Sequence, residues 1–233
     1  MTMTRQTAIV LLSGGLDSAT CLAIAHNQNY AIHTLTFDYG QRHGVELQSA
    51  HALADHFQVV SHTVFPLALR IIGGSALTSS QKVPKQRDLS SNEIPITYVP
   101  ARNTVFLSIA LALAEVKQCN DVFIGVNAID YSGYPDCRPE FIHAFENLAA
   151  IATRAGVSSS RKLNIHTPLI AFSKAEIVAE AARLNVPFAL TWSCYDPQEG
   201  AIPCGECDAC RLRAEGFAKA GFADPIAAKP RHA

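Results

Sequence analysis

Residues Thr7 to Leu12 form a short, unbroken apolar run that stops at Ser13-Gly14-Gly15 and leads straight into a helical stretch, Asp17 to Asn27. A run apolar at every position belongs to a strand covered on both faces, so this unit demands a sheet with helices above and below it. The rhythm then repeats. Ala31 to Phe37 alternates apolar with polar residues, Gly40 breaks it, and Val45 to Phe57 sets Leu47, Ala50, Leu53 and Ala54 on one stripe. Val59 to Phe65 is a third strand candidate, Thr104 to Val116 a helix, Asp121 to Val126 a strand and Pro139 to Ala155 a helix. Ser173-Lys174-Ala175-Glu176 follows the capping-box pattern and opens a helix that ends near Asn185-Val186-Pro187. Strands alternating with helices need crossover connections and therefore a mostly parallel sheet. Gly73 to Pro95 interrupts the pattern with polar residues, among them Lys82, Lys85, Arg87 and Asp88, and reads as a mobile loop or lid. A loop this long is either functional or a solvated linker, and composition does not separate the two.

Composition excludes several classes. With 48% hydrophobic and 17% charged residues, wholesale disorder is ruled out. Nineteen basic residues against twenty acidic ones leave no cationic excess to neutralise a polyphosphate backbone, which argues against nucleic acid as partner while leaving a local basic patch open. Val105 to Ala114 is half of the roughly 20 residues a membrane span requires. Met1 to Leu12 is too short for an export signal, so a cytoplasmic protein without membrane contact is expected.

The Ser13-Gly14-Gly15-Leu16-Asp17-Ser18 turn joins a strand to a helix N-terminus, where unpaired N–H groups and the positive end of the dipole favour an anion. Two glycines let phosphate oxygens approach the backbone, and Ser13 and Ser18 offer hydroxyls. It is not a Walker loop, since no Lys-Ser/Thr follows. Asp17 beside a phosphate would repel it unless a cation lay between, which argues for Mg2+; alternatively Asp17 only caps the helix.

Seven cysteines make an odd total, crowded at one end. Cys194, Cys204, Cys207 and Cys210 are spaced C-x9-C-x2-C-x2-C, which suits four thiolates on one tetrahedral Zn2+ with no position open for water, hence a structural site. A redox or persulfide pair and a [4Fe-4S] cluster are the competing readings. Cys21 and Cys119 sit in apolar or helical context as packing residues.

Phe37-Asp38-Tyr39-Gly40-Gln41-Arg42-His43 falls at the carboxyl end of the second strand, where ligands bind in open sheets. Arg102, in Val99-Pro100-Ala101-Arg102-Asn103-Thr104, precedes a helix start, convenient for a phosphate and equally ordinary in a surface turn. The stretch Asp130 to Phe141 mixes aromatics, carboxylates and an arginine, as a flat purine-like substrate would require: Tyr131 or Tyr134 to stack, Asp130, Asp136 or Glu140 to accept from ring N–H groups, Arg138 to hold a carboxylate. A loop rich in Gly and Pro shows the same composition without binding anything.

The S-G-G-L-D-S turn resembles the pyrophosphate-binding signature of the ATP pyrophosphatase superfamily. Together with F-D-Y-G-Q-R-H, V-P-A-R-N-T, D-Y-S-G-Y-P-D-C-R-P-E-F, T-W-S-C-Y and C-G-E-C-D-A-C, spread in order from Ser13 to Cys210, it closely resembles the 7-cyano-7-deazaguanine synthase family. The resemblance implies a Rossmann-like α/β fold with an open, mostly parallel five-stranded sheet, helices on both faces and a C-terminal zinc-binding segment. It implies residues 1–190 as the nucleotide-binding domain, 191–222 as a metal-binding segment of that domain and 223–233 as a tail, expected to be disordered at its end. The implied activity is an ATP-dependent C–N ligase: 7-carboxy-7-deazaguanine is adenylated, ammonia gives the amide, and a second adenylation allows dehydration to the nitrile. Zn2+, ATP with Mg2+, ammonia and a homodimer come with it. By the same resemblance ATP lies on Leu12, Ser13, Gly14, Gly15, Leu16, Asp17, Ser18, Phe37 and Asp38. Asp17, Arg102 and, as base, His43 are the expected catalytic residues, and Asp130, Tyr131, Tyr134, Asp136, Arg138 and Glu140 the expected substrate contacts. Three rivals carry other readings: a tRNA sulfurtransferase with persulfide on the cysteines, disfavoured by the neutral charge, a non-catalytic nucleotide-sensing zinc protein, and an ammonia ligase of another substrate such as GMP synthetase, which should carry or recruit a glutaminase.

Overall fold

The computed structural model describes residues 5–89, 93–129, 134–158 and 162–227. Five strands, β1 (Thr7–Leu11), β2 (Ala31–Asp38), β3 (Ser61–Pro66), β4 (Asp121–Phe123) and β5 (Asn164–His166), form one sheet in the order β3-β2-β1-β4-β5 with every neighbouring pair parallel. The helices are α1 (Leu16–Asn27), α2 (Val45–His56), α3 (Arg102–Val116), α4 (Pro139–Ala152), α5 (Arg154–Ser158), α6 (Lys174–Arg183) and α7 (Asp208–Ala220). The expected α/β class with helices on both faces is what the chain forms.

Alternation along the strands divides the core. Ile9, Leu11, Leu35, Phe37 and Val122 pack on one face with Leu107 and Ala110 of α3 and Ile142 and Phe145 of α4. Ala8, Val10, Leu12, Ile32 and Phe123 pack on the other with α1, α2, Ile177 and Val178 of α6, and Phe217 of α7. β1 is therefore buried on both sides, which is why its sequence shows no polar alternation.

Three departures from the expected elements have local causes. β4 ends at Phe123 because the chain leaves the ladder there to line a cleft. β5, Asn-Ile-His, is too short and polar to announce itself as a strand, yet Asp121↔Asn164, Val122↔Ile165 and Phe123↔His166 fix its register. The third concerns residues 73–95, whose described part, 73–89 and 93–95, is irregular but pinned: Ser75, Ala76, Leu77, Thr78 and Val83 are buried, and Gln86 N–H donates to the Glu206 carbonyl. Lys85 pairs with Asp196 at 2.8 Å and Arg87 with Asp208 at 3.0 Å. The described part of the segment is thus a strut against the cysteine module; the expected lid finds no support in these contacts. The end of the tail lies outside the described residues.

Candidate active site

A cleft of roughly 210 Å³ opens along the carboxyl ends of β1, β2 and β4, at the point beside β1 where strand order reverses. Its floor is the turn between β1 and α1. Gly14 there has φ +86°, and a Cβ on it would lie 2.3 Å from the Glu46 carbonyl oxygen, so only glycine lets α2 close over the turn. Gly15 is the N-cap of α1 with no side-chain cap, leaving the helix N-terminus open. Ser13 Oγ and Ser18 Oγ lie 3.0 Å apart, Ser18 Oγ donates to the Gly15 carbonyl at 3.0 Å, and Trp192 N–H donates to the Gly14 carbonyl at 2.8 Å. These bonds hold the turn in one shape before any ligand arrives.

Asp17 reaches into the cleft, and both its oxygens accept from Lys174 Nζ at 2.8 Å. The cation that a carboxylate beside phosphate demands is therefore supplied by the chain itself. Lys174 was not singled out from the sequence, although a signal was present: as the first residue of α6 after the capping box, it puts positive charge at the positive end of a dipole. The box forms as expected, with Ser173 N–H donating to Glu176 Oε2 at 2.7 Å and Glu176 N–H donating to Ser173 Oγ at 3.4 Å. The lysine stem passes over Gly216 of α7, where a Cβ would meet its Cγ at 2.4 Å.

One wall is aromatic. Phe37 and Phe106 stack with centroids 3.9 Å apart and planes 6° from parallel, and the Arg102 guanidinium stands 5.9 Å from the Phe106 centroid. Arg102 is delivered by Ala101, held at φ 53° in the left-handed region with its N–H donating to Tyr98 Oη at 3.0 Å. Glu46, from the first turn of α2, closes this side; burial pushes its carboxyl up to about 7, with Arg102 drawing it back. Tyr39, Tyr134, Cys137, Trp192, Ser193, Tyr195 and Arg213 complete the lining. Burial raises the Tyr39 hydroxyl and the Cys137 thiol each to about 12.

The expected site residues divide accordingly. Leu12, Ser13, Gly15, Leu16, Asp17, Ser18, Phe37, Arg102 and Tyr134 line the cleft, while Gly14 supports it from behind. Asp38 is exposed at the end of β2 and outside the cleft wall. His43 is half-buried and does not line the cleft; its ring meets Trp192 edge-on at 6.2 Å. Asp136 does not line the cleft: it is buried, and its Oδ2 accepts the Asn103 N–H at 2.9 Å, supplying α3 with the cap Ala101 lacks. Arg138 and Glu140 are exposed at the start of α4, away from the cleft lining. Asp130 and Tyr131 lie outside the described residues. Glu46 gave no motif of its own, since a lone glutamate in a helix's first turn is ordinary.

The Sγ atoms of Cys194, Cys204, Cys207 and Cys210 lie within 4.8 Å of one another, with Cys204 and Cys210 4.0 Å apart. Four thiolates about 2.3 Å from one tetrahedral ion would stand at about 3.8 Å, so the donor set fits a metal such as zinc. Backbone N–H groups of Asp196 and Cys204 donate to Cys194 Sγ at 3.4 and 3.2 Å, and that of Cys207 to Cys204 Sγ at 3.4 Å, favouring thiolates. Hydrogen bonds from Cys194 and Cys210 hold the Cys207 thiol far below its ordinary value, and Lys85 hydrogen-bonds Cys204. Cys207 is also the N-cap of α7, the helix that brings Ala209 and Arg213 to the cleft.

The family described as Queuosine biosynthesis protein QueC matches residues 7–221. The 7-cyano-7-deazaguanine synthase of Syntrophus aciditrophicus is 56% identical over 223 residues, 95% of this chain and 96% of that protein. The protein of the same name from Citrifermentans bemidjiense is 57% identical over 219 residues, 94% of this chain and 96% of its own length. Among solved structures, NMN synthetase from Francisella tularensis superposes with a TM-score of 0.50 at 16% identity, covering 96% of this chain and 81% of that one, a likeness of fold.

Proposed function

The chain belongs to the QueC family of queuosine biosynthesis proteins, and from that premise we propose that it converts 7-carboxy-7-deazaguanine and ammonia into 7-cyano-7-deazaguanine at the expense of ATP. The observation that carries the reading beyond kinship is one cleft uniting an open helix N-terminus, a buried Asp17–Lys174 pair and a flat aromatic wall beside Arg102.

A carboxylate does not yield to ammonia, because its oxygen is a poor leaving group. Adenylation turns that oxygen into the phosphate oxygen of AMP, ammonia displaces it to give the amide, and adenylation of the amide oxygen prepares its loss as the nitrile forms. Backbone N–H groups of residues 13–18 receive the departing pyrophosphate, and Lys174, held by Asp17, adds charge to the same end. Arg102 faces the charge developing at the α-phosphate. Phe37 and Phe106 supply the apolar surface against which a planar base lies, and Tyr134 borders the substrate. The loop bearing Asp130 and Tyr131 adds contacts to the deazapurine. Mg2+ arrives with the nucleotide and shields its triphosphate; because both Asp17 oxygens already serve Lys174, no dedicated carboxylate cage for it is required.

Cys194, Cys204, Cys207 and Cys210 hold a structural Zn2+ that fastens the C-terminal segment, residues 191–222, to residues 1–190. No described helix is long and apolar enough to cross a membrane. The near-neutral charge balance supports a reading without nucleic acid, and the cytoplasm is the compartment we assign. Val64 and Phe65 on edge strand β3, with Ile71 and Ile72 beyond it, are exposed, and a second copy in a homodimer covers such a surface.

The test is an incubation of the purified protein with 7-carboxy-7-deazaguanine, ATP, Mg2+ and ammonium. Nitrile should accumulate with AMP and pyrophosphate released at both activations. Pyrophosphate release indifferent to the deazapurine acid, or none at all, would refute the assignment.

A further inference from the structure

Converting ammonia nitrogen into nitrile nitrogen removes every one of its hydrogens as a proton, yet AMP and pyrophosphate leave as anions that carry none of them away. The reaction under "Proposed function", on which this inference rests, therefore needs a proton acceptor inside the cleft. Elimination among the groups that line it is short. Asp17 is locked onto Lys174 through both oxygens at 2.8 Å. The arginines are permanently protonated and have no lone pair to take a proton. Phenols, like those of Tyr39, Tyr134 and Tyr195 in the lining, and thiols ordinarily keep their protons at neutral pH, and burial raises Tyr39, Tyr134 and Cys137 further. His43 is outside the lining, packed on Trp192.

Glu46 remains. Its backbone carbonyl rests against Gly14 of the phosphate turn while its side chain lines the cleft with Phe37 and Tyr39, so it stands between the pyrophosphate end and the aromatic wall. Among the described residues no hydrogen bond reaches its carboxylate. A half-buried carboxylate left without a donor in a cleft wall is short of a partner that the ligand can provide.

We propose that Glu46 is the general base of the reaction, taking the proton released when ammonia attacks the first adenylate and those lost from nitrogen as the adenylated amide collapses. In the first event the N–C bond forms, the C–O bond to AMP breaks, and one N–H proton passes to the carboxylate. In the second, the amide oxygen attacks the α-phosphate as pyrophosphate leaves and one N–H proton passes to Glu46, giving the adenylated imidate; once that proton has gone to solvent, Glu46 takes the last N–H proton as the C–O bond to AMP breaks and the C–N triple bond forms. Between steps the acid returns each proton to solvent at the cleft mouth. No oxidant or reductant takes part. The groups acting on Glu46 are Arg102 of α3, which favours the anion, and Tyr39 of the turn after β2. Burial poises the carboxyl near 7, where a base is both free and strong enough to act.

The experiment compares Glu46→Gln and Glu46→Asp with the unaltered full-length protein, following pyrophosphate and nitrile separately across pH 5.5 to 9. In the parent, nitrile formation should rise with pH through about 7. Glu46→Gln should keep substrate-dependent adenylation while nitrile formation falls by about 10²-fold or more, its rise with pH disappears, and added formate restores part of the rate. Glu46→Asp should retain activity with the pH limb displaced. A Glu46→Gln protein with the parental rate, or with a reduced rate but the same pH limb and no rescue, overturns the assignment to Glu46. A parent protein that makes no nitrile overturns instead the reaction it rests on.

Discussion

Lys174 and Asp17 are about 10% and 18% exposed, so each neutralises a charge that water barely reaches. Removing one partner strands the other, at a cost on the order of 3–5 kcal/mol for a buried pair. Lys174→Met and Asp17→Asn should each lower the melting temperature and abolish pyrophosphate release. The double variant should recover much of the stability and none of the activity; additive losses in thermal unfolding would show that the two groups do not depend on each other. Glu46 gives a second residue-scale outcome. Its folded value, about 7, lies above the ordinary 4.5, so the folded state holds a proton the unfolded chain has released, and stability falls as pH climbs from 4.5 through 7. Glu46→Gln removes that loss and should therefore gain melting temperature over the parent at pH 8 but not at pH 4. Equal differences at both would mean that burial does not perturb this carboxyl.

At the scale of elements, the site depends on how α6 and α7 meet. Glycine in a helix interior costs about 1 kcal/mol against alanine, yet Gly216 stands in the middle of α7. The reason is steric: its missing Cβ leaves the channel through which the Lys174 stem passes, with Lys174 Cγ and Cβ at 2.4 and 3.0 Å from where a Cβ would stand. Those atoms lie near the backbone and cannot swing aside as a side-chain tip would. Gly216→Ala should therefore lower activity by pushing the lysine off Asp17, despite alanine's better helix propensity, and a kcat/KM equal to the parent's would contradict this packing. The same logic explains Asp136, whose carboxylate caps α3 from another loop and so fixes where Arg102 begins.

For the whole molecule, the cysteine module and residues 75–87 act as one body. Lys85 pairs with Asp196 and reaches Cys204, Arg87 pairs with Asp208, Arg211 donates to the Arg87 carbonyl, and Cys207 starts α7. A divalent ion held by four thiolates would carry net negative charge, which the Lys85 ammonium would offset. Cys207→Ser, or exposure to a strong chelator, should release zinc and raise hydrogen exchange in α7 and in residues 75–87 together, with loss of activity following. Loss of activity with metal content and exchange unchanged would give the cysteines a chemical role instead.

The sequence by itself determined the layer order, the glycine turn after β1 and the four-cysteine cluster, because each is local: the unalternating run of β1, the glycines after it, and four cysteines within seventeen residues. Periodicity and short-range spacing encode such features directly. What only the tertiary structure decided were the partners that meet across the chain. Lys174 lies 157 positions from Asp17 and Asp136 33 from Asn103, and nothing in either segment alone names its partner. The tertiary structure also separated His43, behind the wall, from Glu46, within it, although only two residues part them on the chain. Burial and charge environment arise from what folds over a residue, and α2 closing on Gly14 is the contact that turned an ordinary first-turn glutamate toward the cleft.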